Sequence, residues 1–181
     1  ASVLMARGVT TKAQADSWLG PHHASGHDPF LLPDVEKAVD RLHRAVRQGE
    51  RICFYGDYDV DGMSATSLYV QFFRGLGADV RWYIPHRLAE GYGLNGSAIA
   101  RLHADGVVVL VTSDCGTTSH REIEAANRLG IDVLVTDHHL PGSQVPDAAC
   151  IVNPNQAGCG FPSKNLAGVG VIFYVMLALR A

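Results

Sequence analysis

Three apolar runs in this chain end in clusters of acids or histidines, and that pairing limits what the chain can fold into. Ile52-Cys53-Phe54-Tyr55 leads into Asp57-Tyr58-Asp59-Val60-Asp61-Gly62. Val107 to Val111 leads into Ser113-Asp114-Cys115-Gly116, and Ile131 to Val135 leads into Asp137-His138-His139. The runs have the length of buried strands, and the segments between them carry apolar residues at the helical period. Strands are expected at 51–55, 79–84, 107–112 and 131–136, with a shorter one at 149–152. The first helix opens at Pro33-Asp34, shows Val35, Ala38, Val39, Leu42, Ala45 and Val46 on one face, and ends at Gly49. Residues 63–76 form the next, stopped by Gly77. Ser97 caps a helix to His103, and Ser119-x-x-Glu122 is a capping-box match for a helix to Leu129. This alternation predicts an α/β fold, a mostly parallel sheet with helices on both faces and right-handed crossovers.

In such a sheet, ligands bind outside the carboxyl ends of the strands. The three clusters are therefore expected to share one pocket. Packed carboxylates repel one another unless cations intervene, so divalent metal ions are the expected occupants. Asp57, Asp59 and Asp61 alternate, and residues two apart in an extended segment face one side. An EF-hand is excluded, because a strand precedes the cluster and its twelfth position is Leu68 rather than Glu. Adjacent histidines reach one pocket only if the chain turns there, so one is expected on a metal and the other on substrate.

Oxygen and nitrogen donors without thiolate, with carboxylates in excess, suit Mn2+ or Mg2+ better than zinc. Two such ions would activate water and stabilise an in-line displacement at phosphorus, with Asp59 or Asp114 as a bridge. The chain has no Gly-x-Ser-x-Gly elbow, Walker loop or dinucleotide fingerprint. Arg87, Glu90 and Tyr92 follow the Pro85 break in a long loop beside the expected pocket. Arg87 is a good phosphate fork and Tyr92 a candidate base-stacking ring. The same spacing also fits an Arg–Glu surface pair with a packed tyrosine.

The 181 residues suffice for one domain, and no apolar run approaches the roughly 18 residues that span a membrane. Net charge is −3, which argues against a surface built for bulk attraction to phosphate backbones. The four cysteines, Cys53, Cys115, Cys150 and Cys159, show no Cys-x-x-Cys spacing. A reducing cytoplasm is the expected compartment. Residues 1–32 read as an N-terminal extension, with Thr10 or Thr11 capping a short helix through Trp18-Leu19. His22, His23 and His27 lie in a loop whose composition turn chemistry already explains. The uncapped apolar run from Val171 to Ala181 suggests a helix cut in mid-course.

At these residues the sequence resembles the DHH phosphoesterase superfamily and, within it, the RecJ single-strand-specific exonucleases. Tyr55 to Gly62 looks like the first motif, Ser113 to Ser119 like the second, and Asp137-His138-His139 is the motif that names the superfamily. Leu166-Ala-Gly-Val-Gly170 is similar to the Gly-rich stretch that follows. Arg7-Gly-Val, Asp28 to Pro33, Tyr83 to Asn95 and Ile151-Val-Asn-Pro154 resemble the RecJ family in particular. The resemblance implies a nuclease degrading single-stranded DNA from the 5′ end, with Mn2+ or Mg2+, in recombination and repair. It implies Asp59, Asp61, Asp114 and His138 as metal ligands, with Asp57 supporting them. Asp137 and His139 would be catalytic, with His139 contacting the scissile phosphate or supporting the metals, and Arg87 and Tyr92 would bind substrate. The family also has a further ligand Asp downstream, a second domain and an oligonucleotide-binding barrel. Residues 33–181 are accordingly expected to be a DHH domain incomplete at its C-terminus, and this stretch alone is not assured of activity. Some relatives have His where Tyr55 stands, so no ligand is expected there. The alternatives are a DHH phosphodiesterase acting on short oligonucleotides or cyclic dinucleotides, and a non-catalytic nucleic-acid-binding relative.

Overall fold

A computed structural model describes residues 2–20 and 26–181. Its elements, in chain order, are α1 (Ser2–Met5), α2 (Lys12–Leu19), a 3-10 turn (Pro29–Leu31), α3 (Val35–Gln48), β1 (Ile52–Gly56), α4 (Val60–Gly75), β2 (Val80–Tyr83), α5 (Gly96–Ala104), β3 (Val109–Ser113), α6 (His120–Arg128), β4 (Asp132–Thr136), β5 (Cys150–Val152) and α7 (Gly168–Arg180). The strands form one sheet in the order β2-β1-β3-β4-β5, and every pairing is parallel. The chain runs from β1 outward to β2, then back past β1 to β3. Right-handed crossovers in opposite directions put their helices on opposite faces. Accordingly α4 lies on one face with α3 and α7, and α5 and α6 lie on the other.

Side chains along each strand divide between the two layers by the period of two. Ile52 and Phe54 join the α3–α4–α7 core, whereas Cys53 and Tyr55 join the α5–α6 core. Val109 and Val111 face the first, and Leu110 the second. With both faces covered, β1 and β3 are buried throughout, so these strands read as continuous apolar runs rather than alternating ones. The return past β1 creates a switch point between β1 and β3, where the loops part and leave a crevice.

Several local expectations are corrected. Helix α4 starts at Val60 rather than near 63, because Asp59 caps it: Asp59 Oδ1 accepts from the Gly62 N–H at 2.9 Å. Gly62 permits this tight entry, since a Cβ there would lie 2.6 Å from Asp57 N. Asp61 is therefore helical, and the alternation of three acids along one extended segment fails. Asn95, not Ser97, caps α5, accepting from the Ala98 N–H at 2.8 Å. The capping box at Ser119 does not form. The Ser119 backbone has ψ 55 rather than the extended conformation a cap requires. In α2, Thr11 and Gln14 do form a capping box. His22 and His23 lie outside the described residues. The His27 N–H donates to Tyr174 Oη at 3.3 Å and its ring packs edge-on against Phe161, which is a packing role. No described helix is long and apolar enough to cross a membrane.

Candidate metal centre

The crevice at the β1–β3 switch point receives all three clusters. Asp57 follows β1 and is buried, its Oδ1 accepting the Tyr58 N–H at 2.7 Å. Burial raises its pKa and Asp59 adds to the rise, while His139 and Arg87 oppose it. Asp57, Asp59 and Asp114 each offer an oxygen within 4.8 Å of the others. Asp57 thus stands among the donors, closer than the supporting position expected of it. Asp61, in the first turn of α4, points toward α7: Gly168 N–H donates to its Oδ2 and Val169 N–H to its Oδ1, both at 2.7 Å.

Asp114 follows β3 with φ 67, a left-handed backbone that non-glycine residues seldom adopt. Its side chain is 2 % exposed, and Oδ1 has no hydrogen-bond partner. His138 Nε2 lies 3.0 Å from that oxygen, but without hydrogen-bond geometry. Burial is the main cause that pushes the Asp114 pKa up to about 7, reinforced by Asp61, Asp59 and Asp137 and opposed by His139. A buried, unpartnered carboxylate oxygen facing an imidazole nitrogen and neighbouring acids fits a divalent cation. Asp114 also joins a second donor group, with His138 and His139, again within 4.8 Å. His138 Nε2 is 3.7 Å from Asp61 Oδ2, which ties Asp61 to the same cluster.

The chain turns after β4, and Asp137 makes the turn. Its Oδ1 accepts the His138 N–H at 2.7 Å, the His139 N–H at 3.1 Å and the His139 Nδ1 proton at 2.7 Å. Its Oδ2 accepts the Thr117 N–H at 3.0 Å. Both imidazoles consequently reach Asp114. Burial works to raise the Asp137 pKa, but the bonds from His139 and Thr117 outweigh it and hold it low. The same bond to Asp137 raises His139 to about 9, against a smaller opposing effect of burial. Asp137, expected to be catalytic, accepts from His138, His139 and Thr117 and so orients the turn that carries both histidines. Asn153, buried after β5, donates to His139 O and Thr117 Oγ1, both at 2.9 Å. Asn155 donates to His138 O at 2.5 Å. Neither asparagine carries a site signal in the sequence, because Asn153-Pro154-Asn155 reads as turn chemistry after a short strand.

The Arg87 loop reaches the same rim. Glu90 does not pair with Arg87; it accepts from Arg101 Nη2 at 2.9 Å, from the His86 N–H at 2.8 Å and from Tyr83. Tyr55 Oη donates to Gly93 O at 3.0 Å, fixing the other end of the loop. Arg87 instead lies over the Tyr58 ring, 5.1 Å from its centroid. Tyr92 meets Tyr58 edge-on at 6.4 Å, and its hydroxyl donates to Asp114 O at 3.4 Å. Tyr58, between acidic neighbours, carries no site signal in the sequence, yet it joins Arg87 and Tyr92 into a cationic and aromatic rim. Beside His139 opens a cleft of about 590 Å³ lined by Tyr92, Leu94, Ser119, Glu122 and Leu140.

The model of the DHH family, N-terminal domain, matches residues 51–181. The single-stranded-DNA-specific exonuclease RecJ of Escherichia coli (strain K12) is 51% identical over 150 residues, covering 82% of this chain and 26% of that protein. Its counterpart of the same name in Bacillus subtilis (strain 168) is 42% identical over 179 residues, covering 99% and 23%. The crystal structure of exonuclease RecJ bound to manganese matches with a TM-score of 0.76 at 39% identity, covering 82% of this chain and 38% of that one. The chain spans about a quarter of the length of the two sequence relatives.

Proposed function

The chain belongs to the DHH family, as its motifs led us to expect, and from that premise we propose that it serves a metal-dependent exonuclease acting 5′-to-3′ on single-stranded DNA. The observation that carries this reading is Asp114 Oδ1, buried, unpartnered and shared by two donor groups. Asp59, Asp61, Asp114 and His138, with Asp57, would hold Mn2+ or Mg2+, two ions in the complete enzyme. When bound, such ions supply Lewis-acid activation of water and charge neutralisation at phosphorus.

The chain's own residues do the rest. Asp137 accepts the Nδ1 proton of His139 and raises the imidazole's pKa to about 9 in the metal-free chain; in its protonated form Nε2 would donate to a non-bridging oxygen of the scissile phosphate. Arg87 offers a planar fork to a terminal phosphate, and Tyr58 and Tyr92 offer ring surfaces to bases. We assign residues 33–181 to the DHH domain and 1–32 to an extension; the packing of α3 into the α4–α7 core supports that division. A recombination and repair role in the cytoplasm accords with the RecJ relatives and with four free cysteines.

The test is hydrolysis by the intact protein with Mn2+. Long single strands labelled at the 3′ end should shorten progressively from the 5′ end, duplex should resist, and Asp114→Asn should be inactive. Preferential cleavage of dinucleotides or cyclic dinucleotides would replace this reading with the small-substrate one. Binding of DNA without cleavage of any of these would make the protein a non-catalytic relative.

A further inference from the structure

Gly168 opens α7, and its backbone stands inside the acid cluster. Ala167 precedes it and supplies no side-chain cap. The cap comes from across the fold, where the two oxygens of Asp61 accept the Gly168 and Val169 N–H groups. A Cβ on Gly168 would lie 2.7 Å from Asp114 Cβ and 2.8 Å from Asp114 Oδ1. Real carbon atoms do not approach so closely, and Asp114 is buried with little room to retreat. One residue therefore touches both acids, binding Asp61 through its amide and abutting Asp114 through its missing side chain.

We propose that Gly168 is a positioning residue of the divalent-ion site: it sets the spacing between Asp61 and Asp114, so that the first turn of α7 governs ion affinity along with the strand ends. This rests on the metal-site reading above. The competing role is simple packing of α7 against α4. That role predicts lost stability without lost ion affinity, so both quantities must be measured.

The experiment is calorimetric titration of the intact protein with Mn2+ alone, alongside thermal melting of the metal-free form. Gly168→Ala should weaken Mn2+ binding by about 10–100-fold, the range for groups that orient metal ligands. Gly170→Ala is the control in the same turn; its Cβ would meet only the Leu166 side chain, at 3.2 Å or more, and Mn2+ affinity should not change. Val169→Pro, at the second helical position, deletes one donor to Asp61 without adding bulk at Asp114 and also restricts the Gly168 backbone before it, so it perturbs the same geometry by a different route. It should weaken Mn2+ severalfold, and it decides the matter if Gly168→Ala does not fold. Parental affinity in Gly168→Ala, or in Val169→Pro where that variant must decide, overturns the proposal. Asp114→Asn separates the two levels: if it too retains Mn2+ affinity, the metal-site reading itself fails, whereas its loss beside intact Gly168 variants removes only the positioning role.

Discussion

At Asp114 a left-handed backbone, near-complete burial and neighbouring carboxylates meet in one residue. Such costs persist where the surroundings enforce them, most often at functional sites. Folding raises the Asp114 pKa from 3.8 to about 7. The folded chain thus holds the proton more tightly than the unfolded one, and the contribution to stability is full below 3.8 and lost as pH rises through about 7. At about 1.4 kcal/mol per pK unit, the swing is on the order of 4 kcal/mol. The metal-free protein should therefore melt lower in mildly alkaline than in mildly acidic buffer. Asp114→Asn should shrink that difference, since Asn tolerates left-handed backbone and carries no charge; the remainder belongs to His139, whose pKa raised to about 9 also lowers stability as pH rises. The substitution should also erase the rise in melting temperature on adding Mn2+. An unchanged pH slope in the variant would mean that Asp114 is not the titrating group. In the sequence Asp114 was legible by its place after a strand and by the resemblance of Ser113 to Ser119 to the family's second motif. Its strain was not, because the Asp114 backbone is tied across the sheet, its N–H donating to Thr136 O at 3.1 Å. Asp61 was legible as an acid in a motif, but its amide partners lie 107 and 108 residues away.

The elements were more legible than the contacts between them. All five strands fall within two residues of their expected bounds: burial leaves nearly continuous apolar runs in β1, β3, β4 and β5, whereas the edge strand β2, with Arg81 and Trp82 exposed, is delimited by Gly77 and Pro85. Helix starts were the weaker part. Entry into α4 turns on Asp59 and on the absence of a Cβ at Gly62, while Ser119 precedes α6 as expected but makes no side-chain cap bond. One tie between elements lies at the opposite end of the sheet. Arg41 of α3, 9 % exposed, donates from Nε to Asp132 at the start of β4, and from Nη1 to Glu50 just before β1. Removing one partner of a buried pair costs about 3–5 kcal/mol. Here Asp132 is half exposed, so Arg41→Met should cost on the order of 1–3 kcal/mol, between the buried and surface ranges. Urea unfolding measures it. Mn2+ affinity should be untouched, since the tie sits at the amino ends of the strands. Coupled loss of stability and ion binding would show that the two ends of the sheet are not independent.

Across the whole molecule, net charge is −3 and the strand ends concentrate carboxylates at one crevice. A DNA phosphate approaching the metal-free crevice meets like charge, so binding of single strands should be weak in chelator and stronger with a divalent ion. Arg87 is the cation at the rim, held over Tyr58 beside the crevice and near enough to lower the pKa of Asp57. If it grips one phosphate, Arg87→Ala in the intact protein should weaken single-strand binding by about 1.5–3 kcal/mol, the range for hydrogen bonds to charged groups. It should also make the slope of log K against log salt shallower by about 0.7, one phosphate's share for a single strand. The two readouts separate two roles for the same side chain. A phosphate contact moves affinity and slope together. A guanidinium that only packs on Tyr58 would cost rim order and some affinity, yet release no counterion. Fluorescence anisotropy over a salt series, with Ca2+ as a poorly catalytic ion to keep the strand intact, measures both. Strands with and without a 5′-phosphate then locate the contact: a deficit confined to phosphorylated ends assigns Arg87 to the terminus, and an equal deficit on both assigns it to an internal phosphate. An affinity loss with an unchanged slope leaves Arg87 a stacking residue of the rim.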